Sequence, residues 1–332
     1  MKRFLQLQSA LLFLVILSCN DGEQTSSYSE LLSQPPYASL TDSIKENRNN
    51  ADLYFRRGKL LRENTLSEPA LEDFKKAWSL KNDERYAAYI SNMLLENKPD
   101  SAIIFINDAL KKIPNSIFLS LDLAKAYNAI GKKDESLAVC NNIIQKEPGQ
   151  IDALLLKSDL LQEKNDSTGS LSALETAYSL APFDPELTHS LAFKYAQNKN
   201  VKALAICDSL LKKDTGGVQA EPYYFKGVYY YNTNEKDKAI SFFNQAIQHD
   251  YNFLDAYLDK GRTLFEQKKT AEALKVFTLA STISPAFADA YYWMGKCQQA
   301  LGQTIEAKEN YRRAYGFDKT LTEAKDSADK IR

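Results

Sequence analysis

A period of 34 residues constrains the fold of this sequence more than any other feature. Small and aromatic residues recur at that interval in the C-terminal part of the chain: Gly227, Gly261 and Gly295; Ala239, Ala273 and Ala307; Phe243, Phe277 and Tyr311; Ala246, Ala280 and Ala314. Further upstream, Pro114, Pro148 and Pro182 keep the same interval. A sustained period of this length indicates one supersecondary unit stacked many times, because a single short unit cannot bury its own apolar face.

The residues at the repeated positions predict pairs of closely packed helices. With Gly227 counted as position 8, small residues fall at positions 8, 20 and 27, and aromatic residues fall at positions 4 and 24. Small residues let two helices approach closely, and the rings fill the space that remains. Proline at position 32 ends the second helix. On this count the units begin near Ala51, Asp83, Ile117, Ile151, Pro185, Ala220, Leu254 and Ala288.

This pattern resembles the tetratricopeptide repeat, a helix-turn-helix unit of 34 residues. The resemblance implies an all-α fold, a right-handed α-solenoid of about eight units. We expect the array to cover residues 39–320, including an N-terminal half-repeat, and a capping helix to cover residues 321–332. The middle units depart from the pattern, since Ser136 and Ser170 replace the alanine at position 20. Cys140 occupies the aromatic position 24 and Cys207 lies one residue before it, and we expect both to act as small buried apolar residues.

The N-terminus has the composition of an export leader. Lys2 and Arg3 precede an apolar run from Ala10 to Leu17. The run is shorter than the ~20 residues that a spanning helix needs. Ile16-Leu17-Ser18-Cys19 resembles the bacterial lipobox. That resemblance implies a signal peptide over residues 1–18 and fatty acyl chains on Cys19, which becomes the first residue. A plain secretory leader with an accidental cysteine is the alternative.

The segment after Cys19 predicts a flexible tether over residues 19–38. It is rich in Ser, Gln and Asn and contains Pro35-Pro36, so it offers little apolar surface to bury. Its acidic start, "NDGE", looks like the export signals of Bacteroidetes surface lipoproteins. Together with the lipobox, it implies a lipid anchor in the outer membrane of the cell envelope, on the periplasmic or the surface face.

A binding groove is predicted on the first helices of the units. In the tetratricopeptide family, positions 2, 5, 9 and 12 of these helices line the concave face, and this spacing places them on one side of a helix. Apolar, aromatic and basic side chains there favour a partner-binding surface. The predicted groove residues are Phe193, Tyr224, Val228, Tyr231, Leu258, Arg262, Phe265, Tyr292 and Lys296. The alternative is that these rings pack between adjacent first helices.

Position 2 carries a carboxylate in seven of the eight units: Asp52, Glu84, Asp152, Glu186, Glu221, Asp255 and Asp289. Two interpretations account for this regularity. The carboxylates line an acidic groove, or they complement the helix dipole from the first turn. We favour the second, because every first turn gains from a negative charge whether or not a ligand binds.

The sequence predicts no enzyme, no metal site and no cofactor. His189 and His249 are the only histidines and lie in different units, and no nucleophile, phosphate-binding or dinucleotide-binding motif is present. The cysteines are scattered without metal-ligand spacing. A formal net charge of -1 gives no basic field for nucleic acid.

These observations predict a membrane-anchored scaffold for protein–protein interaction. The partner would be a protein or peptide segment held in the groove, and the resemblance implies a role in envelope assembly or secretion. The alternative is a glycan-binding lipoprotein of the starch-utilisation kind, which interrupts its repeats with a large non-helical insertion. The sequence leaves the oligomeric state open.

Overall fold

The computed structural model describes residues 28–331, and every regular element in this range is an α-helix. Cys19 and the predicted signal peptide, residues 1–18, lie outside the described residues. The helices are α1 Ser29–Leu32, α2 Ala38–Glu46, α3 Ala51–Glu63, α4 Ser67–Leu80, α5 Glu84–Asn97, α6 Pro99–Lys112, α7 Ile117–Ala129, α8 Lys133–Lys146, α9 Ile151–Glu163, α10 Ser167–Leu180, α11 Pro185–Gln197, α12 Lys202–Lys213, α13 Glu221–Asn232, α14 Lys236–His249, α15 Leu254–Glu266, α16 Thr270–Ile283, α17 Ala288–Ala300, α18 Thr304–Phe317 and α19 Thr322–Lys330.

The chain forms two compact units, one ending at Asp122 and the other beginning at Leu123. The first helices of the predicted repeats are α3, α5, α7, α9, α11, α13, α15 and α17, and each begins at or within one residue of the predicted start. The longest connection between consecutive helices covers residues 214–220. None of the helices between residues 28 and 331 has both the length and the apolar character needed to cross a bilayer.

In the N-terminal unit, Arg57 forms a buried ion pair within the first repeat and a hydrogen bond to the helix before it. The Arg57 guanidinium donates to both carboxylate oxygens of Asp73 at 2.7 Å, and both side chains are buried. Its third bond, 3.0 Å long, goes to the Thr41 hydroxyl on α2. Helix α2 therefore lies against α3 of the first repeat.

The structure corrects the C-terminal end of the predicted tether. Residues 29–32 form the short helix α1, whose Leu32 is 8% exposed, and Tyr37 is 4% exposed. The Thr41 hydroxyl on α2 donates to the Leu32 carbonyl at 2.7 Å. The sequence did not predict this short helix because the segment is mostly polar. Burial of the two apolar side chains of Leu32 and Tyr37 is enough to hold the segment in place.

In the C-terminal unit, glycine and a ring meet inside each of the last three repeats. A Cβ atom built on Gly227 or Gly261 would lie 2.5 Å from the ring of Phe243 or Phe277, and one on Gly295 would lie 2.8 Å from Tyr311. The first repeat of the N-terminal unit has the same arrangement, with 2.7 Å between a Cβ on Gly58 and Phe74. A ring at position 24 therefore fills the space beside a small residue at position 8 in these four repeats, which agrees with the predicted close packing of the two helices.

The turn between the two helices of a repeat has a left-handed residue that the sequence did not predict. At position 15, φ is positive in seven repeats: Thr65, Gly131, Asn165, Lys199, Asn234, Lys268 and Gly302. In the seventh repeat, the Lys269 N–H donates to the Leu264 carbonyl at 3.0 Å and the Lys268 N–H to the Phe265 carbonyl at 2.9 Å. This Schellman-type arrangement satisfies the last carbonyls of the first helix and reverses the chain.

The C-terminal unit ends with α19, which lies within the segment predicted as a capping helix. Ala324 and Ala328 of α19 form one buried cluster with Ala307, Tyr311 and Ala314 of α18. The outer residues of α19 are charged and exposed. This helix therefore covers the last apolar face of the array.

Candidate partner-binding groove

The nine predicted groove residues lie on α11, α13, α15 and α17, all within the C-terminal unit. Five of them surround one cavity of about 400 Å³. They are Phe193, Tyr224, Val228, Tyr231 and Arg262, and the remaining wall is polar, formed by Gln162, Ser167, Gln197, Asn198, Asn232 and Asp259. We refer to this cavity as the aromatic cleft.

Two of these residues form the floor of the cleft and are not exposed as predicted. Tyr224 is 9% exposed and Val228 is 7% exposed. The Tyr224 ring lies 4.9 Å from the Phe253 ring and 5.8 Å from the Phe243 ring, measured between centroids. The prediction of an exposed position is therefore wrong for both, and packing between helices accounts for Tyr224. The reason is geometric, since position 5 of one first helix points toward the next helix pair.

A hydrogen-bond network connects the floor of the cleft to the next repeat. The Tyr224 hydroxyl donates to Asp259 at 2.9 Å, and the Arg262 guanidinium donates to the other Asp259 oxygen at 3.2 Å. Burial raises the pKa of the Asp259 carboxyl above its ordinary value, although both partners favour its charged form. Burial and the nearby Asp259 raise the pKa of the Tyr224 phenol.

Arg262 brings a partly exposed guanidinium to the wall of the cleft. The guanidinium carbon lies 5.6 Å from the centroid of the Trp293 ring, so the ring supports one side of the cation. The Arg262 Nε atom is buried and has no hydrogen-bond partner among residues 28–331.

Tyr231 also lines the cleft, and its hydroxyl, like that of Tyr224, donates a hydrogen bond to a carboxylate on α15. Its hydroxyl donates to Glu266 at 2.6 Å, and Glu266 also pairs with Lys236 at 3.0 Å. Desolvation and the bond to Glu266 raise the pKa of the Tyr231 phenol to about 12. Tyr231 therefore stays neutral at physiological pH and offers one ring face and one hydroxyl to a ligand.

The other four predicted residues lie around Trp293 instead of the aromatic cleft. Phe265 meets the Trp293 ring edge-on at 5.7 Å, and the Lys296 ammonium lies 4.5 Å from its centroid. Leu258 packs partly buried in the same apolar cluster. Tyr292 donates to Glu323 of α19 at 2.9 Å. These residues form a separate patch toward the C-terminal end of the unit.

Sequence reasoning missed Asp259 and Trp293, although a signal for both was available. Each occupies position 6 of its first helix. Position 6 lies four residues after position 2 and three before position 9, so it shares the groove face with them. A stripe defined by positions 2, 5, 6 and 9 would have included both side chains.

The described residues of this groove are not arranged to bind a metal ion or to carry out thiol chemistry. In the described part of the chain, no group of three or more His, Cys, Asp or Glu side chains is placed to hold a metal ion. Cys140, Cys207 and Cys297 are free and buried. Burial raises the pKa of the Cys140 thiol to about 11 and those of Cys207 and Cys297 to about 12. These thiols are neutral and act as small packing residues.

Comparisons with known proteins agree with this architecture. Residues 220–252, 254–287 and 288–320 each match the family model described as Tetratricopeptide repeat. The TPR repeat-containing protein YpiA of Bacillus subtilis is 23% identical over 257 residues, which are 76% of this chain. The chain spans 60% of the length of that curated relative.

A solved structure shares the fold. The crystal structure of a tetratricopeptide repeat protein from Parabacteroides merdae superposes with a TM-score of 0.61 and 18% identity, covering 74% of this chain and 97% of that one. The chain is therefore an α-solenoid of tetratricopeptide repeat units, with the family pattern matched over residues 220–320.

Proposed function

We propose that this protein is a membrane-anchored scaffold that binds an extended peptide segment of a partner protein in the aromatic cleft. The observation that carries the proposal is a cavity of about 400 Å³ that the half-buried rings of Phe193 and Tyr231 line together with the Arg262 guanidinium. The tetratricopeptide repeat fold favours an interaction role over catalysis.

The chemistry of the cleft fits a peptide backbone. Peptide carbonyls are acceptors and suit the Arg262 donor, while side-chain amides at Gln197 and Asn232 offer both donors and acceptors. The half-buried rings of Phe193 and Tyr231 give apolar surface that a partner side chain covers. Rigid aromatic anchors beside a few directed polar groups are the usual composition of a binding hot spot.

A selection with a peptide library tests the groove. The purified full chain is exposed to a displayed library of random 12-residue peptides, and a variant with Phe193→Ala and Arg262→Gln is treated in parallel. We expect the wild type to enrich a family of related peptides and the variant to bind them at least tenfold more weakly, because it lacks one ring and one guanidinium that line the cleft.

A variant with Phe242→Ala and Arg313→Gln is the matched control. It removes the same two residue types from second helices, outside the residues that line the aromatic cleft. We expect it to bind the enriched peptides as the wild type does. Equal weakening in both variants, or no enrichment by the wild type, contradicts peptide binding in this cleft.

The membrane anchor is the second part of the proposal. Acylation of Cys19 would hold the array at the outer membrane, where a scaffold serves envelope assembly or secretion. Two or more acyl chains bind a bilayer stably, whereas one binds only marginally. We expect Cys19→Ser to move the protein from the detergent-dependent membrane fraction to the soluble fraction. Ser26→Ala, a change outside the lipobox that keeps Cys19, is the control. A Cys19→Ser protein that still requires detergent rules out the lipid.

A further inference from the structure

A second cavity adjoins the aromatic cleft and differs from it in chemistry. It encloses about 440 Å³ between α9 and α11, and Phe193 lines both cavities. Its floor is apolar, formed by Ile151, Leu155, Leu174, Leu187 and Phe193. Four carboxylates stand around that floor, at Asp152, Asp159, Asp184 and Glu186. We refer to this cavity as the acidic cleft.

The charge of the acidic cleft is not balanced from within. Lys194 is the one basic residue among those that line it; its ammonium group donates to the Gln162 amide oxygen at 3.2 Å, and its charge also favours the ionised form of Asp159. Within residues 28–331, Asp152, Asp159 and Glu186 form no ion pair and accept no hydrogen bond, whereas Asp184 caps the N-terminus of α11. Four negative charges against one positive charge leave a net of about −3 at neutral pH.

The helix dipole explains only part of this charge. Asp152 and Glu186 lie in the first turns of α9 and α11, where a carboxylate is favourable without a ligand. Asp159 lies in the third turn of α9, beyond the reach of that effect. Asp159 is exposed, and partial desolvation, which the Lys194 charge offsets in part, raises the pKa of its carboxyl. The helix dipole therefore accounts for Asp152 and Glu186 but not for Asp159.

A metal ion does not fit the arrangement. The carboxylates are spread along the walls, and no three acidic, histidine or cysteine side chains in the described part of the chain converge on one point. An apolar floor is also unsuitable for a hydrated cation. A long aliphatic stem that ends in a charge suits both parts of the cavity.

We infer that the acidic cleft receives a lysine or arginine side chain from the same partner peptide that the aromatic cleft binds. This inference rests on the function proposed above. The alkyl stem lies on Leu155 and Leu187 beside Phe193, and the cationic head reaches Asp159, with Asp152 and Glu186 at the entrance. Because Phe193 lines both cavities, one peptide crosses this ring, with an apolar or aromatic residue on one side and a basic residue on the other.

The test compares matched peptides on matched variants. The library selection described above supplies a peptide with the expected basic residue, and the same peptide is synthesised with that residue replaced by norleucine, which keeps the stem. Binding of both to the full chain is measured by fluorescence polarisation in 0.1 M and 0.5 M salt. The variant carries Asp152→Asn and Asp159→Asn. A control with Glu135→Gln and Glu306→Gln changes the net charge equally, on exposed second helices.

We expect norleucine to weaken binding to the wild type and to the control about tenfold in 0.1 M salt, and less in 0.5 M salt, where exposed charges are screened. In the Asp152→Asn, Asp159→Asn variant both peptides should bind equally. Enriched peptides without a basic residue, or a basic preference that persists in this variant, overturn the inference and leave peptide binding intact. No enriched peptide at all overturns both proposals, so the two failures are distinguishable.

Discussion

Two kinds of repeat bury the same contact with different side chains. In the first, sixth, seventh and eighth repeats, glycine on the first helix faces a ring on the second, as Gly261 faces Phe277. In the third repeat, Ala124 and Cys140 take these places and share one buried cluster. In the fifth repeat, Ala192 and Cys207 do the same. In both repeats, alanine replaces glycine on the first helix and cysteine replaces the aromatic residue on the second.

The comparison shows that the facing side chains of the two helices vary together in these repeats. Interiors pack densely, so an added methyl group on one helix requires a smaller partner on the other. The cysteines of the third and fifth repeats are therefore accompanied by a change on the facing helix. Four predictions separate this compensation from simple tolerance, and they run from the largest expected effect to the smallest.

Phe277→Cys should lower the free energy of unfolding by about 3 kcal/mol, because it removes a fully buried ring and leaves Gly261 without a partner. Urea unfolding followed by circular dichroism measures the loss. Phe183→Cys is the control, since that ring is 89% exposed and its removal should cost less than about 0.5 kcal/mol. Equal losses at the two positions would show that the pair carries no special packing.

Cys140→Phe in the third repeat should lower the free energy of unfolding by about 2 kcal/mol, because the ring would overpack against Ala124. Adding Ala124→Gly reproduces the glycine and ring combination of the last three repeats and should recover most of that loss. The same unfolding measurement applies. If Ala124→Gly deepens the loss instead, compensation between these two positions is refuted.

Gly261→Ala should lower the free energy of unfolding by about 1 kcal/mol, because its Cβ would meet the Phe277 ring, while alanine partly offsets this by its better helix propensity. Combined with Phe277→Cys, the same change should become favourable. The double-mutant cycle reports the interaction between the two sites. Additive effects within about 0.3 kcal/mol would mean that the two positions are independent.

Lys268→Gly and Lys199→Gly should each raise the free energy of unfolding by about 0.5 kcal/mol, because both lysines hold a left-handed φ, at 65° and 58°, that costs glycine little. Lys268 lies in a glycine and ring repeat, and Lys199 in an alanine and cysteine repeat. Equal gains, measured by thermal unfolding, would show that the turn is independent of the pair. A gain in only one repeat would contradict this.

The sequence predicted the helix pairs well, because close packing between helices requires small residues at regularly spaced positions. It predicted the starts of α9, α11, α15 and α17 at the observed residue. It did not predict the turn at position 15, where lysine, asparagine, threonine and glycine all adopt the same conformation. Nor did it predict how polar substitutes are accommodated, since Ser136 donates to the Ala124 carbonyl across the pair at 2.7 Å.

The groove residues were predicted less completely. The sequence indicates on which face of a helix a residue lies, but not how much of its side chain a neighbouring helix buries. Phe193, Tyr231 and Arg262 line the aromatic cleft, whereas Tyr224 and Val228 are buried in its floor. The acidic cleft depends on Asp159, a single carboxylate at position 9 in one repeat. Asp159 is not part of the 34-residue pattern, so only the structure shows that it lies beside the apolar residues of this cavity.

The contact between glycine and ring closes inside one helical hairpin, and this has a consequence for how such arrays evolve. A duplication or deletion of a whole hairpin carries both members of the pair together, so the inserted copy arrives already packed. Only the surfaces between hairpins must then adapt. Arrays of this kind can lengthen or shorten by recombination in steps of one hairpin, while each hairpin accumulates its own pair of substitutions.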